Sequence, residues 1–290
     1  MITVLESITL STEYLKNKGI ESPRINAELL LANILNCKRL NLYLLFDRPL
    51  TEEEVVKYRE LLKRRSRFEP LQYIIGNVEF YGLDFYVNPT VLIPRQETEL
   101  LVEAIINIYK DSDPVNILDI GTGSGNIAVA LAKNIVNSYV TAVDISEEAL
   151  KTAKGNAVLN EVDNKIDFIY TDFIKEEEPG VDTDQTGIQF DIIVSNPPYI
   201  SISDYETLRP ELRNYEPKCA LTDHDTGYLF YEVISSRAYK LLKQGGRLFF
   251  EVGKDQHADV SRIMRENCFQ DITIIKDYQN IERVISGIKL

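Results

Sequence analysis

The first seventy residues carry apolar positions at the spacing expected of helices. One such face comprises Ala27, Leu30, Leu31, Ile34 and Leu35. It follows Ser22-Pro23, a pair typical of an N-cap and the first residue of a helix. Thr51-Glu52-Glu53-Glu54 has the pattern of a capping box and predicts another helix, over about residues 55–67. These short helices predict a small helical domain over residues 1–75.

The hydrophobic period changes after residue 75. Residues 78–87 are β-branched and aromatic around Gly82, and this pattern predicts a β-hairpin. We interpret residues 76–96 as a hairpin linker and residues 97–290 as a second, larger domain. The length of 290 residues also favours two domains.

Helical and strand patterns alternate in the larger domain. The predicted strands are 115–120, 139–143, 165–170, 190–194, 247–252, 272–275 and 282–286. Such alternation predicts a parallel sheet covered by helices on both faces. Because residues 276–281 are too few for a crossover helix, we expect the last strand to run antiparallel. Residues 174–189 are rich in Asp, Glu and Gly and predict an exposed loop.

The charges are distributed unevenly between the two predicted domains. The chain has 32 Lys and Arg against 45 Asp and Glu, a net charge of −13 at pH 7. Residues 1–90 are balanced in charge, so the acidic excess lies in the larger domain. An acidic surface repels a phosphate backbone, which argues against a nucleic-acid partner. We interpret the basic residues 57–67 as a solvated helix face; they are the one stretch that could contact RNA or another acidic partner.

Composition narrows the class of protein further. Hydrophobic residues make up 44% of the chain and charged residues 27%, as in globular proteins. The three cysteines, Cys37, Cys219 and Cys268, fit no metal or redox spacing. No signal sequence and no apolar run of membrane-spanning length is present. We therefore expect a cytoplasmic protein without a membrane partner.

A glycine-rich segment follows the first strand of the larger domain. It reads Asp119-Ile120-Gly121-Thr122-Gly123-Ser124-Gly125 and ends where a helix begins. Glycines there let a ligand approach the backbone, and the helix N-terminus offers free N–H donors. Asn126 stands where a dinucleotide fingerprint needs Gly or Ala, and no Gly-Lys-Ser/Thr follows. The segment predicts a nucleotide-like ligand but is a poor match to NAD or FAD, and it excludes a Walker loop.

Acidic residues follow the next two strands. Asp144 ends the second strand, where a carboxylate can accept both ribose hydroxyls of an adenosine. Asp172-Phe173 follows the third strand, where the carboxylate could accept from an adenine amine while the ring packs on its face. Because parallel strands end at one edge of a sheet, these residues and the glycines should lie together.

The most specific motif is Asn196-Pro197-Pro198-Tyr199, after the fourth strand. The two prolines hold the backbone extended and remove two N–H donors. The side-chain oxygen of Asn196 and a neighbouring backbone carbonyl can then point at one position as acceptors, and Tyr199 supplies a flat face. This arrangement suits a planar NH2 group, either a carboxamide or the exocyclic amine of adenine.

Together, the glycine segment, Asp144 and the Asn-Pro-Pro-Tyr motif resemble class I S-adenosylmethionine-dependent methyltransferases that act on planar NH2 nitrogens. Three further stretches resemble the PrmC/HemK family of peptide chain release factor glutamine methyltransferases. They are Leu92-Ile-Pro-Arg-Gln-Glu-Thr-Glu99, Glu69-Pro-Leu-Gln-Tyr-Ile-Ile-Gly76 behind the basic helix, and Glu216-Pro-Lys-Cys-Ala-Leu221. Gln96 departs from the family pattern, which usually has a second proline there.

The resemblance implies a role for each motif. The cofactor-binding residues would be Gly121, Thr122, Gly123, Ser124, Gly125, Asp144, Asp172, Phe173 and Asn196. Asn196, Pro197 and Tyr199 would be catalytic, and together with Pro198 they would surround the substrate amide. Arg95 would lie near the substrate, without a defined role.

The resemblance also implies a fold and a reaction. The fold would be α/β, with a Rossmann-like seven-stranded sheet whose last strand is antiparallel, joined through the hairpin to the helical domain. The reaction would be methyl transfer from S-adenosyl-L-methionine to the N5 amide nitrogen of the glutamine in the Gly-Gly-Gln motif of class I release factors. S-adenosyl-L-homocysteine would be the product, no metal would be needed, and the helical domain of a monomer would recognise the release factor.

Three alternatives remain open at this point. An adenine-N6 methyltransferase could use the same tetrapeptide on a flipped base, although the acidic charge argues against it. A nicotinamide-dependent oxidoreductase is disfavoured by the glycine spacing and leaves the Asn-Pro-Pro-Tyr motif unexplained. A non-catalytic adaptor that kept the fold is disfavoured by the complete set of acceptors.

Overall fold

The computed structural model describes residues 2–176 and 189–290. They form two compact units. The smaller unit consists of Met1–Asn77 and Arg209–Tyr215, and the larger of Val78–Leu208 and Glu216–Leu290. Most of the predicted loop over residues 174–189 lies outside the described residues.

The smaller unit is helical, as predicted. Its first four α-helices are α1 (Val4–Asn17), α2 (Pro23–Ile34), α3 (Glu52–Arg65) and α4 (Leu71–Ile75), with a 3-10 helix at Arg39–Leu45. Its core includes the fully buried Val4, Leu15, Leu30, Leu31 and Leu42.

The two predicted helix starts differ in their caps. Thr51 forms the expected capping box, because its hydroxyl accepts from Glu54 N at 3.2 Å and the Glu54 carboxylate accepts from Thr51 N at 2.9 Å. Helix α2 does begin at Pro23, but Ser22 has a left-handed φ of 48° and makes no side-chain capping bond. Ser22 and Pro23 thus occupy the predicted N-cap and first helical positions, but the left-handed backbone of Ser22 lacks the extended geometry in which an N-cap side chain bonds to the helix.

The predicted hairpin consists of β1 (Asn77–Phe80) and β2 (Leu83–Tyr86). Its two turn residues, Tyr81 and Gly82, have φ of 50° and 72°. Positive φ at both positions is the requirement of the type I′ turn that matches strand twist. Phe80 and Phe85 pack edge to face, with ring centroids 5.9 Å apart, in the core of the larger unit.

The larger unit contains a seven-stranded sheet in the order β5-β4-β3-β6-β7-β9-β8. Its strands are β3 (Val115–Ile120), β4 (Ser138–Asp144), β5 (Ile166–Tyr170), β6 (Phe190–Ser195), β7 (Leu242–Glu251), β8 (Gln270–Lys276) and β9 (Glu282–Ile288). Neighbours from β5 to β7 are parallel, whereas β9 is antiparallel to both β7 and β8. The predicted sheet and its antiparallel last strand are confirmed.

Helices cover both faces of this sheet. The other α-helices among the described residues are α5 (Gln96–Tyr109), α6 (Asn126–Asn134), α7 (Glu147–Leu159), α8 (Ile202–Tyr205), α9 (Pro210–Tyr215), α10 (Leu229–Leu241) and α11 (His257–Glu266). Ile117 packs with α5 and α6 in one core cluster, while its neighbour Leu118 packs with α10 and α11 in the other. This alternation along β3 is the two-residue period of a strand buried on both faces.

Helix α9 belongs to the smaller unit, where Arg65 of α3 holds it. The Arg65 guanidinium donates to Glu211, to Asn26 Oδ1 at 2.6 Å and to Glu69 O at 3.0 Å, and the residue is only 6% exposed. The interpretation of residues 57–67 as a solvated face is therefore wrong for Arg65. A charge this deeply buried needs several fixed acceptors, which these partners supply.

Candidate active site

The predicted site residues follow parallel strands that end at one edge of the sheet. Ile120 at the end of β3 lies opposite Val143 of β4 and Ser195 of β6. Asp144 lies opposite Tyr170, the last residue of β5. The chain segments after β3, β4, β5 and β6 therefore leave the sheet at the same edge.

The glycine loop, residues 121–125, contacts the end of β4. Three of its residues have positive φ, namely Gly121 (74°), Gly123 (55°) and Gly125 (79°). The N–H groups of Gly121 and Thr122 donate to Val143 O at 2.9 and 3.0 Å. A Cβ at Gly121 would meet nothing within 4 Å, so the space beside this backbone is open to a ligand.

The side chain of Asn156 in α7 forms hydrogen bonds with both the glycine loop and the hairpin. Its Nδ2 donates to Ser124 O at 2.8 Å and to Tyr86 O at 3.0 Å, and its Oδ1 accepts from Tyr86 N at 2.7 Å. The side chain is fully buried and uses both its donor and its acceptor group. One buried amide thus connects α7, the hairpin and the glycine loop.

Asp144 holds the glycine loop through its carboxylate. Oδ2 accepts from Gly123 N at 2.8 Å, and Oδ1 accepts from Ser146 N at 2.9 Å. Burial raises the pKa of this carboxyl, and the backbone N–H donors oppose the rise. Because each carboxylate oxygen has two lone pairs, both retain an acceptor position for hydroxyl groups.

Asp119 is a second buried carboxyl beside the glycine loop, and it was not among the predicted site residues. Its Oδ2 accepts from Thr122 Oγ1 at 2.6 Å, whereas its Oδ1 is buried without a hydrogen-bond partner among the described residues. Burial raises the pKa of Asp119 to about 7. The Asp119 carboxylate thus holds Thr122 of the glycine loop from inside the protein, where the side chain is 0% exposed.

Asp172 and Phe173 follow β5 as predicted, and both have partners within the protein. Asp172 Oδ1 accepts from the N–H groups of Ile174 and Lys175 at 3.2 and 3.1 Å. Phe173 is 5% exposed, and the guanidinium of Arg237 lies 5.6 Å from its ring centroid. The assignment of both residues to an adenine stays a prediction.

The Asn196-Pro197-Pro198-Tyr199 segment begins beside the glycine loop. Ser195 Oγ donates to Ile120 O at 2.7 Å, which ties the end of β6 to the end of β3. Asn196 Nδ2 donates to Thr98 Oγ1 at 3.1 Å, and no described residue donates to its Oδ1. The amide of Asn196 therefore presents a free acceptor, as a site for an NH2 group requires.

Tyr199 is fixed by the residues around it. Gln256 Nε2 donates to Tyr199 O at 3.1 Å. A Cβ at Gly253 would lie 2.9 Å from Tyr199 Cδ2, and one at Gly227 would lie 2.5 Å from Tyr199 O, so both positions exclude side chains. Burial raises the pKa of Tyr199, which keeps the phenol neutral. The ring is thus held as an uncharged flat surface.

Arg95 connects two of the segments that carry the family resemblance. Its Nη2 lies 2.6 and 2.7 Å from the two carboxylate oxygens of Glu216, whose side chain is 1% exposed. A paired buried carboxylate of this kind fixes the guanidinium. Arg95 has a structural partner, and its contact with substrate stays a prediction.

Thr98 and Glu251 are two further polar residues that the sequence did not single out. Both are buried, and Thr98 Oγ1 donates to Glu251 Oε2 at 2.6 Å. The available signal for Glu251 was an acidic residue within an apolar strand, which rarely stays buried without a partner. The signal for Thr98 was its place beside Glu97 and Glu99, three residues after Arg95.

Within residues 2–176 and 189–290, no group of three or more His, Cys, Asp or Glu side chains is arranged to hold a metal ion. None of the helices in these ranges is both long and apolar enough to cross a bilayer.

Comparison with protein families covers most of the chain. Residues 6–76 match a family described as the PrmC N-terminal domain, and residues 111–285 match one described as a methyltransferase domain. The release factor glutamine methyltransferase of Fusobacterium nucleatum subsp. nucleatum is 43% identical over 282 residues, which span 97% of this chain and 77% of that protein. The enzyme of that name from Chlorobaculum tepidum is 39% identical over 98% of this chain and 96% of its own length.

Solved structures show the same fold at low sequence identity. A methyltransferase from Pyrococcus furiosus superposes with a TM-score of 0.52 at 18% identity, over 72% of this chain and 90% of that one. The catalytic domain of hMettl16, in complex with an RNA hairpin, gives a TM-score of 0.54 at 16% identity over 83% of each chain. These likenesses concern the fold alone.

Proposed function

The chain belongs to the family of release factor glutamine methyltransferases, and from this membership we propose that it methylates the N5 amide nitrogen of the glutamine in the Gly-Gly-Gln motif of class I peptide chain release factors. S-adenosyl-L-methionine is the methyl donor in this proposal, and S-adenosyl-L-homocysteine is the product. The observation that carries the proposal is the free acceptor of Asn196, whose NH2 group is already engaged by Thr98. Such an acceptor matches the NH2 group of a carboxamide.

The chemical difficulty is that the lone pair of an amide nitrogen is delocalised into its carbonyl. In the proposed mechanism, Asn196 Oδ1 and Pro197 O accept the two N–H bonds of the substrate amide. The nitrogen lone pair is then directed at the methyl group, while Tyr199 packs against the amide plane and Pro198 keeps the segment extended. Alignment and stabilisation of the positive charge that develops on nitrogen supply the rate enhancement.

When bound, the donor would supply a methyl group on a sulfonium: the carbon–sulfur bond would break as the carbon–nitrogen bond forms, the sulfur would leave as a neutral thioether, and the amide nitrogen would lose one proton to water. The residues proposed to hold it are those of the glycine loop, Asp144, Asp172, Phe173 and Asn196. The open space beside the backbone of Gly121 supports this assignment, since the donor could approach the loop there. Asp144 would accept the ribose hydroxyls with its remaining lone pairs.

We further propose that residues 1–75 recognise the release factor, that residues 76–96 form the linker and that residues 97–290 carry the chemistry. The match of residues 6–76 to the PrmC N-terminal domain supports a distinct role for the helical part. A monomeric, cytoplasmic enzyme that uses no metal and no nucleic acid remains the expectation.

The test is transfer of radiolabel from S-adenosyl-L-methionine to a purified release factor. The same factor with its Gly-Gly-Gln glutamine changed to alanine is the matched control, and duplex DNA is the competing substrate. Label on the unaltered factor alone is the expected result. Label on DNA would replace the proposal by adenine methylation, and label on the altered factor would place the modification at another residue.

A further inference from the structure

Three side chains of the larger unit form a hydrogen-bonded chain that ends at the proposed amide site. Glu251 lies at the end of β7 and Thr98 in the first turn of α5, and they are 2% and 1% exposed. Thr98 Oγ1 donates to Glu251 Oε2 at 2.6 Å and accepts from Asn196 Nδ2 at 3.1 Å. The chain thus runs from a buried carboxylate through one hydroxyl to one amide.

The single hydrogen of a hydroxyl makes this chain directional. An ionised Glu251 can only accept, so it takes the hydrogen of Thr98. Thr98 Oγ1 is then available only as an acceptor, and it must face the NH2 group of Asn196. The Asn196 oxygen is consequently turned toward the substrate, where two N–H groups have to be accepted.

The opposite polarity would present the wrong group. A neutral Glu251 can donate to Thr98, whose hydrogen can then bond to the oxygen of Asn196. Rotation of the amide by half a turn would satisfy that pattern and place its NH2 group against the NH2 group of the substrate. Two donors facing each other in a desolvated site repel, so substrate could not bind productively.

We propose that Thr98 and Glu251 are positioning residues that hold the amide of Asn196 with its oxygen toward the substrate nitrogen. This inference rests on the proposed function, because it needs a substrate that offers an NH2 group at Asn196. Neither residue contacts the reacting atoms; both act by fixing the orientation of a side chain that does.

The surroundings of Glu251 link this polarity to pH. Glu251 bonds to Thr98 of α5. The charged and titratable groups around its carboxyl are Arg95 and Glu97 at the start of α5, Arg283 of β9, and Tyr199. Tyr231 of α10 donates to its backbone oxygen at 3.0 Å. Burial raises the pKa of Glu251 to about 7 and outweighs the hydrogen bond from Thr98 and the nearby arginines. As the pH falls below this value, the neutral form accumulates and kcat/KM should fall about tenfold per pH unit.

The first test compares Thr98→Val with Thr98→Ser in the full chain, on an unaltered release factor. Valine removes the hydroxyl at nearly constant volume, whereas serine keeps it. We expect Thr98→Val to lower kcat about 10–100-fold, as loss of an orienting partner does elsewhere. Thr98→Ser should stay within about threefold of wild type. In Thr98→Val the Kd of S-adenosyl-L-methionine should change far less than kcat, because Thr98 bonds only one of the residues proposed to hold the cofactor, Asn196. Wild-type kcat in Thr98→Val would overturn the inference.

The second test uses Glu251→Gln and does not depend on whether Thr98→Val folds. Glutamine keeps an oxygen that can accept from Thr98 but cannot ionise, so the acid limb of the wild-type kcat/KM profile should be lost between about pH 5.5 and pH 8.5. An unchanged acid limb in Glu251→Gln would overturn the inference. Wild-type enzyme that leaves the release factor unlabelled would instead overturn the proposed function, and this inference with it.

Discussion

At the residue scale, the site depends on two carboxyl groups that the fold has removed from water. Asp119 lies near the end of β3, two residues before the glycine loop. Glu251 is the last residue of β7 and is connected to Asn196 through Thr98. Burial raises the pKa of each to about 7. Carboxyl groups in such positions lower stability when they ionise, and they persist where their lone pairs orient other groups. Glu251 orients Thr98, and Asp119 accepts from Thr122 of the glycine loop.

The cost of burying Asp119 should appear as a pH dependence of stability. Its folded pKa of about 7 lies above its unfolded value, so the folded state binds the extra proton and loses stability as the pH rises toward 7. We expect the stability of wild type relative to Asp119→Asn to fall by about 1.4 kcal/mol per pH unit in that window and to level off above it. Urea unfolding of both proteins between about pH 5 and pH 8 measures the difference. If the stabilities of the two proteins change equally with pH, the pKa of Asp119 is not raised. The pH-dependent contributions of groups present in both proteins, Asp144 among them, largely cancel in the comparison.

The individual residues divide into those that a sequence motif can reveal and those that only the fold brings together. The positions of Asn196 and Asp144 were predictable, because Asp144 ends β4, Asn196 follows β6, and each belongs to a local sequence pattern; their roles stay predictions. The contact of Asn196 with Thr98 was not predictable, since the two residues lie 98 positions apart in the sequence. Phe173 was correctly placed after its strand, but its burial under Arg237 depends on a helix more than sixty residues away in the chain.

At the scale of elements, α7 holds the glycine loop and the hairpin through Asn156. Replacement by alanine would leave Ser124 O and both backbone groups of Tyr86 without partners. We expect Asn156→Ala to destabilise the larger unit by on the order of 3 kcal/mol and to weaken binding of S-adenosyl-L-methionine. Denaturant midpoints and calorimetric titration measure the two effects. Thr152→Ala on the same helix removes two exposed hydrogen bonds, one from Asn88 Nδ2 and one to Glu148 O, and should change stability by less than about 0.5 kcal/mol.

Gly227 and Gly245 have similar positive φ, but only at Gly227 would a side chain contact Tyr199. Alanine substitution at both positions therefore distinguishes displacement of Tyr199 from backbone strain alone. Gly227 has φ of 89° and no room for a Cβ, which would lie 2.5 Å from Tyr199 O, whereas Gly245 has φ of 78° and open space. Alanine at either position should cost about 1 kcal/mol of stability through φ. Only Gly227→Ala should also lower kcat for release factor methylation, by about tenfold or more, because it displaces the carbonyl of Tyr199. Equal activities would show that this carbonyl is not critical.

The elements themselves could largely be predicted, for a physical reason. Strands buried on both faces are continuous apolar runs, whereas apolar residues recur every three to four positions in the helices between them. The order of strands and helices could therefore be predicted. The antiparallel last strand followed from the short connection before it. The N-cap position of Ser22 was predicted, but its left-handed backbone was not, because Ser-Pro is compatible with several backbone conformations.

At the scale of the whole molecule, the chain enters the smaller unit twice. Residues Arg209–Tyr215 lie between the Asn-Pro-Pro-Tyr segment and Glu216, yet they pack with the N-terminal helices. Arg209 pairs with Glu21 at 2.7 Å, and the Tyr215 hydroxyl donates to Arg67 O at 2.8 Å. No local pattern predicts this, since an isolated six-residue helix carries no information about its partner. The helical unit is thus built partly from a segment that begins ten residues after Tyr199 in sequence.

Because the smaller unit includes Arg209–Tyr215, its proposed role in recognising the release factor can be tested by replacing one buried side chain that holds this segment. Arg65→Met would leave Glu211, Asn26 Oδ1 and Glu69 O without their shared donor and should destabilise the smaller unit by on the order of 2–3 kcal/mol. If that unit recognises the release factor, KM for the factor should rise at least about tenfold while the Kd of S-adenosyl-L-methionine stays constant. Arg209→Met removes only an exposed ion pair from the same segment and should cost less than about 1 kcal/mol, with little change in KM. Equal loss of cofactor and factor binding in Arg65→Met would instead assign the helical unit a purely structural role, since recognition alone cannot alter affinity at the glycine loop.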